Sequence, residues 1–350
     1  MKTHIKNQII STSWASSSLV CLLLFTFSNN THAITFQEYE KKIKNAYSLR
    51  NAVEKLPRKD IENQLREFIA SGRPGRLAGS PGHKKSQEYL EGKLRSFNST
   101  GVTVSKMEFA GVGGADKAIS GVNFIWEKKG VTSPDEILLI TAHYDSLIRD
   151  SKTQKPVLKG EMPGADNNAT GVSVMLSMIE ILNQLEIPKT VKFVFLDLEE
   201  FNSQGSKYFA NSEEFKAEKE SKKIAGVMNL IMLGHDTRTS DTEKKLNNMK
   251  AYSTDDAFAK PLIEAADKNY STIKFTLNPP QNNERFIDSM AAFKAQGIPS
   301  VTFTQNRESD LNPRLWSSND FFETLNINTY TNVFKALASS VLAWNYGVVK

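Results

Sequence analysis

The sequence predicts an α/β fold, a three-layer sandwich whose central, mostly parallel sheet is covered by helices on both faces. Short, nearly all-apolar runs such as residues 191–198 are rich in β-branched and aromatic types, as strands buried on both faces require. These runs alternate with longer amphipathic stretches, the order that builds crossover units and parallel sheets. Acidic and imidazole side chains fall just past the ends of several runs, where open α/β sheets place their sites.

The chain has 350 residues and opens with Lys2, His4 and Lys6, a Ser-rich stretch, and the apolar run from Leu19 to Phe27. Thr31-His32-Ala33 follows, with small residues suited to a signal peptidase. Residues 1–33 therefore read as a secretory signal, the apolar run being too short to span a bilayer. An uncleaved anchor is the rival reading. Cleavage after Ala33 predicts a secreted or periplasmic protein with no stable membrane anchor. The single cysteine, Cys21, leaves with the signal, which excludes a disulfide or a cysteine metal site in the mature chain. The formal net charge is +5, and Lys2 and Lys6 contribute to it only before cleavage. Mild basicity without a run of one sign predicts no nucleic-acid partner. Of five histidines, His83, His143 and His235 remain in the mature chain.

Residues 34–56 read as an N-terminal helical extension, and residues 57–350 as one domain. Pro57 separates the extension from a helix with Ile61, Leu65 and Ile69 on one face. Residues 71–82 are dense in Gly, Pro and Ser and predict a loop. His83 then stands at a helix start, as an expected surface residue, before a helix over 84–96. Strands are predicted over 102–109, 118–127 and 136–142, the last ending in His143-Tyr144-Asp145-Ser146. After a polar loop come Pro163-Gly164-Ala165-Asp166-Asn167 and a helix carrying Val172, Leu176, Ile179 and Leu182 at helical spacing. The strand over 191–198 ends in Glu199-Glu200. A charged helix over 212–221 leads to a strand over 224–233 and then Gly234-His235-Asp236. A helix over 255–269, a strand over 298–304 and an amphipathic helix over 328–346 complete the chain.

Successive strand ends and loops thus offer His143 with Asp145, then Asp166, then Glu199 with Glu200. Imidazole and carboxylates converging on one sheet edge are what a zinc site requires, and a neighbouring carboxylate can serve as general base. The same residues scattered singly would be ordinary polar loop ends.

With Gly75-Arg76-Leu77-Ala78-Gly79-Ser80, Gly205-Ser206, Gly297-Ile298-Pro299 and Ser317-Ser318-Asn319-Asp320, these segments resemble metallopeptidase family 28. Its members are two-zinc aminopeptidases whose fold glutaminyl cyclases share. The resemblance covers nearly the whole mature chain and implies zinc and peptide-bond hydrolysis at an amino terminus. Carried over residue by residue, it implies that His143 binds one zinc, Asp166 bridges both and Glu200 binds the second. Glu199 becomes the general base, and Asp145 orients the histidine.

Two expected ligands are missing. An aspartate position falls on Ile231 and a histidine position on Trp316. A third departure is Asp288-Ser289-Met290, where many relatives have Ser-Asp-His. Ile has no donor atom and an indole N–H has no lone pair for a metal, so zero or one zinc is expected. Rescue would have to come from His235 or His83, and Arg307 or Arg314 could neutralise the crowded carboxylates. The implied function is a weakly active or inactive member that binds a peptide or an amino-terminal group. The alternative is an active metalloexopeptidase using one zinc or rearranged ligands. A cyclase reaction ranks third, because it also needs the histidine replaced by Trp316.

Overall fold

The computed structural model describes residues 49–113, 117–237, 247–279 and 288–349. The expected signal and the extension as far as residue 48 lie outside the described residues. Residues 49–54 are helical, and Leu49, Val53 and Leu56 join the main core.

Helix α1 (Arg58–Ser71) begins directly after Pro57 and buries Ile61, Leu65, Phe68 and Ile69 along one stripe. Helix α2 (Pro81–Ser96) has Pro81 in its first turn, and the Ser80 side chain accepts from the His83 N–H. The strands are β1 (Val102–Val112), β2 (Ala118–Lys128), β3 (Ser133–His143) and a short pair, β4 (Ile148–Arg149) with β5 (Pro156–Val157). A π-helical turn over Ala165–Ala169 runs into α3 (Thr170–Asn183). Next come β6 (Lys189–Leu196), α4 (Gln204–Asn211), α5 (Glu213–Ser221) and β7 (Lys223–Leu230). The chain closes with β8 (Asn247–Ser253), α6 (Asp256–Asn269), β9 (Ile273–Asn278), α7 (Asp288–Ala295), β10 (Ser300–Gln305) and α8 (Ile327–Asn345).

Among the described residues, eight strands form one sheet in the order β1-β2-β6-β3-β7-β10-β8-β9. Four of its seven neighbouring pairs are parallel, including the contiguous block β6-β3-β7-β10. Alternation along β3 explains the layers. Leu138 and Ile140 face a core shared with α1, α2, α3, α6 and α8, while Ile137 and Leu139 face one shared with α4, α5 and α7. The three-layer expectation therefore holds, with antiparallel strands flanking the parallel block.

Two boundaries differ from expectation in a way that matters for the site. Strand β6 stops at Leu196 and β7 at Leu230, so Asp197-Leu198 and Ile231–Leu233 leave the ladder. Leu198 (φ 55°) and Met232 (φ 54°) both take left-handed backbone there, which no strand accommodates. Apolarity at these positions comes from burial in the loops, since Leu198 and Met232 are fully buried.

The loops at this edge are tied by Arg76, which is fully buried. Its Nε donates to the Tyr144 carbonyl (2.7 Å), Nη1 to Pro163 (2.7 Å) and Nη2 to Gly164 (2.8 Å). Its backbone N–H donates to the Ser146 Oγ (3.0 Å), whose hydroxyl in turn reaches the Met162 carbonyl. Burial lowers its pKa to about 10, against the pull of Asp320 and Asp145, so it stays protonated at neutral pH. Gly164, with φ 54°, leaves no room for a side chain, because a Cβ would lie 2.7 Å from the Asn167 carbonyl oxygen. Arg76→Met should cost roughly 3–5 kcal/mol, since it strands three buried carbonyls. Arg66→Met, an exposed cation over the Phe322 ring, should cost less than about 1 kcal/mol. Urea unfolding of both variants checks the contrast, and equal losses would refute the clamp.

Candidate functional site

Strands β6, β3 and β7 run parallel side by side, so their carboxyl ends open onto one edge. A cleft of about 350 Å³ lies there, lined among others by His143, Arg149, Asn167, Glu199, Glu200, Ile231 and Trp316. Ringing it are residues with left-handed backbone: Asn202, Ser203 and Trp316 in the lining, and Leu198 and Met232 beside Glu199 and Ile231.

Asp145 organises the acid side of the cleft. Fully buried, it accepts from the N–H groups of Glu199 (3.2 Å) and Glu200 (3.0 Å) and faces His143 Nδ1 at 3.3 Å. The Asp145 carbonyl is also 3.1 Å from Nδ1. Two oxygen acceptors on one ring nitrogen place its proton on Nδ1 and leave Nε2 as the free lone pair of the neutral ring. Burial opposes charge on His143, but Asp145 outweighs it and the pKa lies above the usual value. For Asp145, burial pushes upward, and its bonds with His143 and the Glu200 N–H bring it below the carboxylate range.

Glu199 and Glu200 diverge. The Glu199 carboxylate accepts from the Ser206 N–H (2.6 Å) and Oγ (3.0 Å) at the start of α4. Burial still pushes its pKa up to about 7. Glu200 is met by proton donors. Trp316 Nε1–H lies 3.1 and 3.0 Å from its two oxygens, and Asn167 Nδ2 lies 2.5 Å from Oε1. Arg149 Nη2 is 3.9 Å from Oε2, and its guanidinium carbon sits 4.9 Å from the Trp316 ring centre. Burial nevertheless raises the Glu200 pKa.

Asp166 requires a correction. Its carboxylate does not line the cleft: Oδ1 accepts from the Gly234 N–H (2.8 Å) and Oδ2 from Asn312 Nδ2 (2.8 Å). Asp320 accepts from the N–H groups of Asp166 and Asn167, which fixes the turn so that Asn167 faces the cleft instead. Burial and the nearby Asp320 raise the Asp166 pKa to about 7. Asn167, 3% exposed, keeps a buried Oδ1 with no hydrogen-bond partner.

Neither candidate for rescue reaches the cleft lining. His235 faces Asp310 at 3.3 Å in a separate surface pocket. The surface placement expected for His83 is overturned. Because α2 starts at Pro81, His83 turns inward, is 3% exposed, and lies 2.7 Å from Asp197. Asp197 also accepts from Tyr144 Oη (2.6 Å) and the Val122 N–H (2.8 Å), and so anchors the turn that leads from β6 to Glu199. Arg307 and Arg314 do not line the cleft; the guanidinium there is Arg149, which the sequence reading missed. Its only advance signal is an arginine six residues beyond His143, too common a pattern to single out. Among the described residues, no three His, Cys, Asp or Glu side chains are grouped to hold a metal ion.

An α/β sandwich with histidine and paired glutamates at the carboxyl edge of its parallel strands defines an aminopeptidase-like hydrolase fold. The chain belongs to Peptidase family M28, which residues 123–341 match. It is 33% identical over 110 residues to Aminopeptidase YwaD of Bacillus subtilis, covering 31% of this chain and 21% of that protein. It is 27% identical over 242 residues to Leupeptin-inactivating enzyme 1 of Streptomyces exfoliatus, covering 68% and 46% respectively. The matches thus span less than half the length of either relative. Among solved structures, the LapA aminopeptidase of Legionella pneumophila aligns with TM-score 0.66 and 16% identity, over 91% of this chain and 78% of that one. A Bacteroides thetaiotaomicron glutaminyl cyclase aligns with TM-score 0.64 and 18% identity, over 83% and 98%. Zinc metallopeptidase chemistry is therefore the family background of this fold.

The Glu199 pKa of about 7 yields a pH signature. A folded carboxyl titrating above its unfolded value destabilises the fold as pH rises from about 4.5 to 7. Glu199→Gln removes that penalty, so the variant should gain on the wild type by roughly 1–2 kcal/mol between pH 5 and pH 8, allowing for partial exposure. Paired thermal melts read the difference, and a gap independent of pH would contradict it.

Proposed function

We propose that this chain is an exported M28-family protein that keeps the peptidase scaffold without two-zinc hydrolysis. It acts by binding a peptide or an amino-terminal group in the cleft. The observation that carries this reading is the shell around Glu200. Where a metal ligand needs a cation, Glu200 has an indole N–H, an amide NH2 and a guanidinium. The donor set of the cleft does not fit a pair of zinc ions. Catalytic zinc takes three protein ligands and a water. Here Ile231 brings hydrocarbon, Trp316 brings a proton donor, and the loop residue that faces the cleft is the amide Asn167 rather than Asp166. The shared-ligand position is thereby also lost, so three positions separate this cleft from a two-metal site.

A second reading has its own support. His143, Asp145 and Glu199 retain the geometry of an oriented imidazole beside a carboxylate with a raised pKa. An exopeptidase using one metal would need those three groups.

Metal analysis of purified protein dialysed against zinc distinguishes the two. The proposal expects well under one tightly held ion per chain and no release of chromogenic amino acid anilides. One ion per chain with turnover would establish the second reading and overturn the first. A further expectation concerns restoration. Ile231→Asp with Trp316→His alone should leave zinc binding weak, and adding Asn167→Asp should strengthen it by about tenfold or more, because only then are three carboxylate or imidazole donors added. If the double variant already binds as tightly as the triple, the role assigned to Asn167 is wrong.

A further inference from the structure

We infer that Arg149 is the resident cation of this cleft, a fixed positive charge that weakens divalent-metal binding even when ligands are supplied. The inference rests on the metal-poor reading above and goes beyond it, from missing ligands to an added charge. Arg149 lies in β4, and its side chain is 14% exposed beside a Glu200 side chain that is 7% exposed. Its backbone N–H donates to the Trp316 carbonyl at 2.9 Å. Its guanidinium lies over the same residue's indole, and the indole N–H bonds the same Glu200 that the guanidinium approaches.

Trp316 therefore does two things while offering a metal no lone pair. It seats the arginine on an aromatic face, and it shares a carboxylate with it. The guanidinium is held in place by its contacts with Trp316 and Glu200, so its positive charge stands where a metal would have to approach Glu200. Unit charges a few ångströms apart in a partly dry cleft interact strongly, and a divalent ion near Glu200 would feel twice that repulsion. The indole, the guanidinium and Glu200 thus form one linked unit centred on Trp316.

The test compares metal affinity rather than activity. Asn167→Asp, Ile231→Asp and Trp316→His are combined, with and without Arg149→Met, and zinc affinity is measured by chelator competition. Removing the arginine should tighten binding about 100-fold, whereas Arg149→Lys in the same background should leave it as weak as the triple variant. Equal affinities for all three would overturn the inference. Should the combined variants fail to fold, single Arg149→Met and Arg149→Lys proteins suffice. Co²⁺ titration followed by broadening of the His143 ring resonances should then show about tenfold tighter binding for Met only, and no difference would again overturn it. Stoichiometric zinc in the wild-type protein would sink this inference together with the proposed function. A metal-free wild type with no effect of Arg149 would sink this inference alone.

Discussion

The geometry of the cleft depends on one buried guanidinium. Arg76 reaches the carbonyls of Tyr144, Pro163 and Gly164, joining the segment that follows β3 to the turn that precedes α3. No sheet ladder connects those segments, so without such a tie their polar groups would need water, and the loops would wander. Asp320 completes the arrangement from the opposite side by accepting the N–H groups of Asp166 and Asn167. Asp197 fixes the third loop against His83 and Tyr144. These ties set where His143, Asn167 and Glu200 stand relative to one another before any chemistry is considered.

Within that frame the cleft has a coherent electrostatic logic. Two charged oxygens of Glu200 buried without a counter-charge would be costly. In this chain, proton donors and Arg149 supply the compensation through protein atoms alone. Ile231 is 6% exposed and places hydrocarbon in the same lining, which reduces the room for water around the carboxylate. Asp145 meanwhile retains its grip on both glutamate N–H groups and on His143. Asp145 thus holds one side of the cleft, and proton donors with Arg149 hold the other.

Much of this was legible in the sequence, and the failures share a cause. Buried parallel strands announce themselves by composition, so the strands ending near His143, Leu196 and Leu230 and the convergence of their ends could be read directly. Strands β8 and β9, at one end of the sheet, and helix α7 were missed, since they are short and carry weaker periodicity. Apolar residues just past the ladder, Leu198 and Ile231–Leu233, extended the predicted strands because burial in a loop and burial in a sheet leave the same mark. The side chain facing the cleft from the turn after Pro163 could not be read at all. Motif matching favours the acidic residue, Asp166, but a π-helical turn held by Asp320 rotates Asn167 into that place. Arg149 was invisible for the same reason, being brought to Glu200 by a two-residue strand pair and a contact with Trp316 far along the chain. His83 looked like a surface residue because nothing local reveals a carboxylate that lies distant in sequence.

The left-handed backbone at Leu198, Asn202, Ser203, Met232 and Trp316 has a mechanical consequence. Each such non-glycine residue carries a conformational penalty of order 1 kcal/mol, which persists only where the surroundings over-determine it. Their clustering around this one cleft means that the lining takes its shape from the packing and hydrogen bonds behind it, so a change in that outer layer would be felt first at the cleft wall.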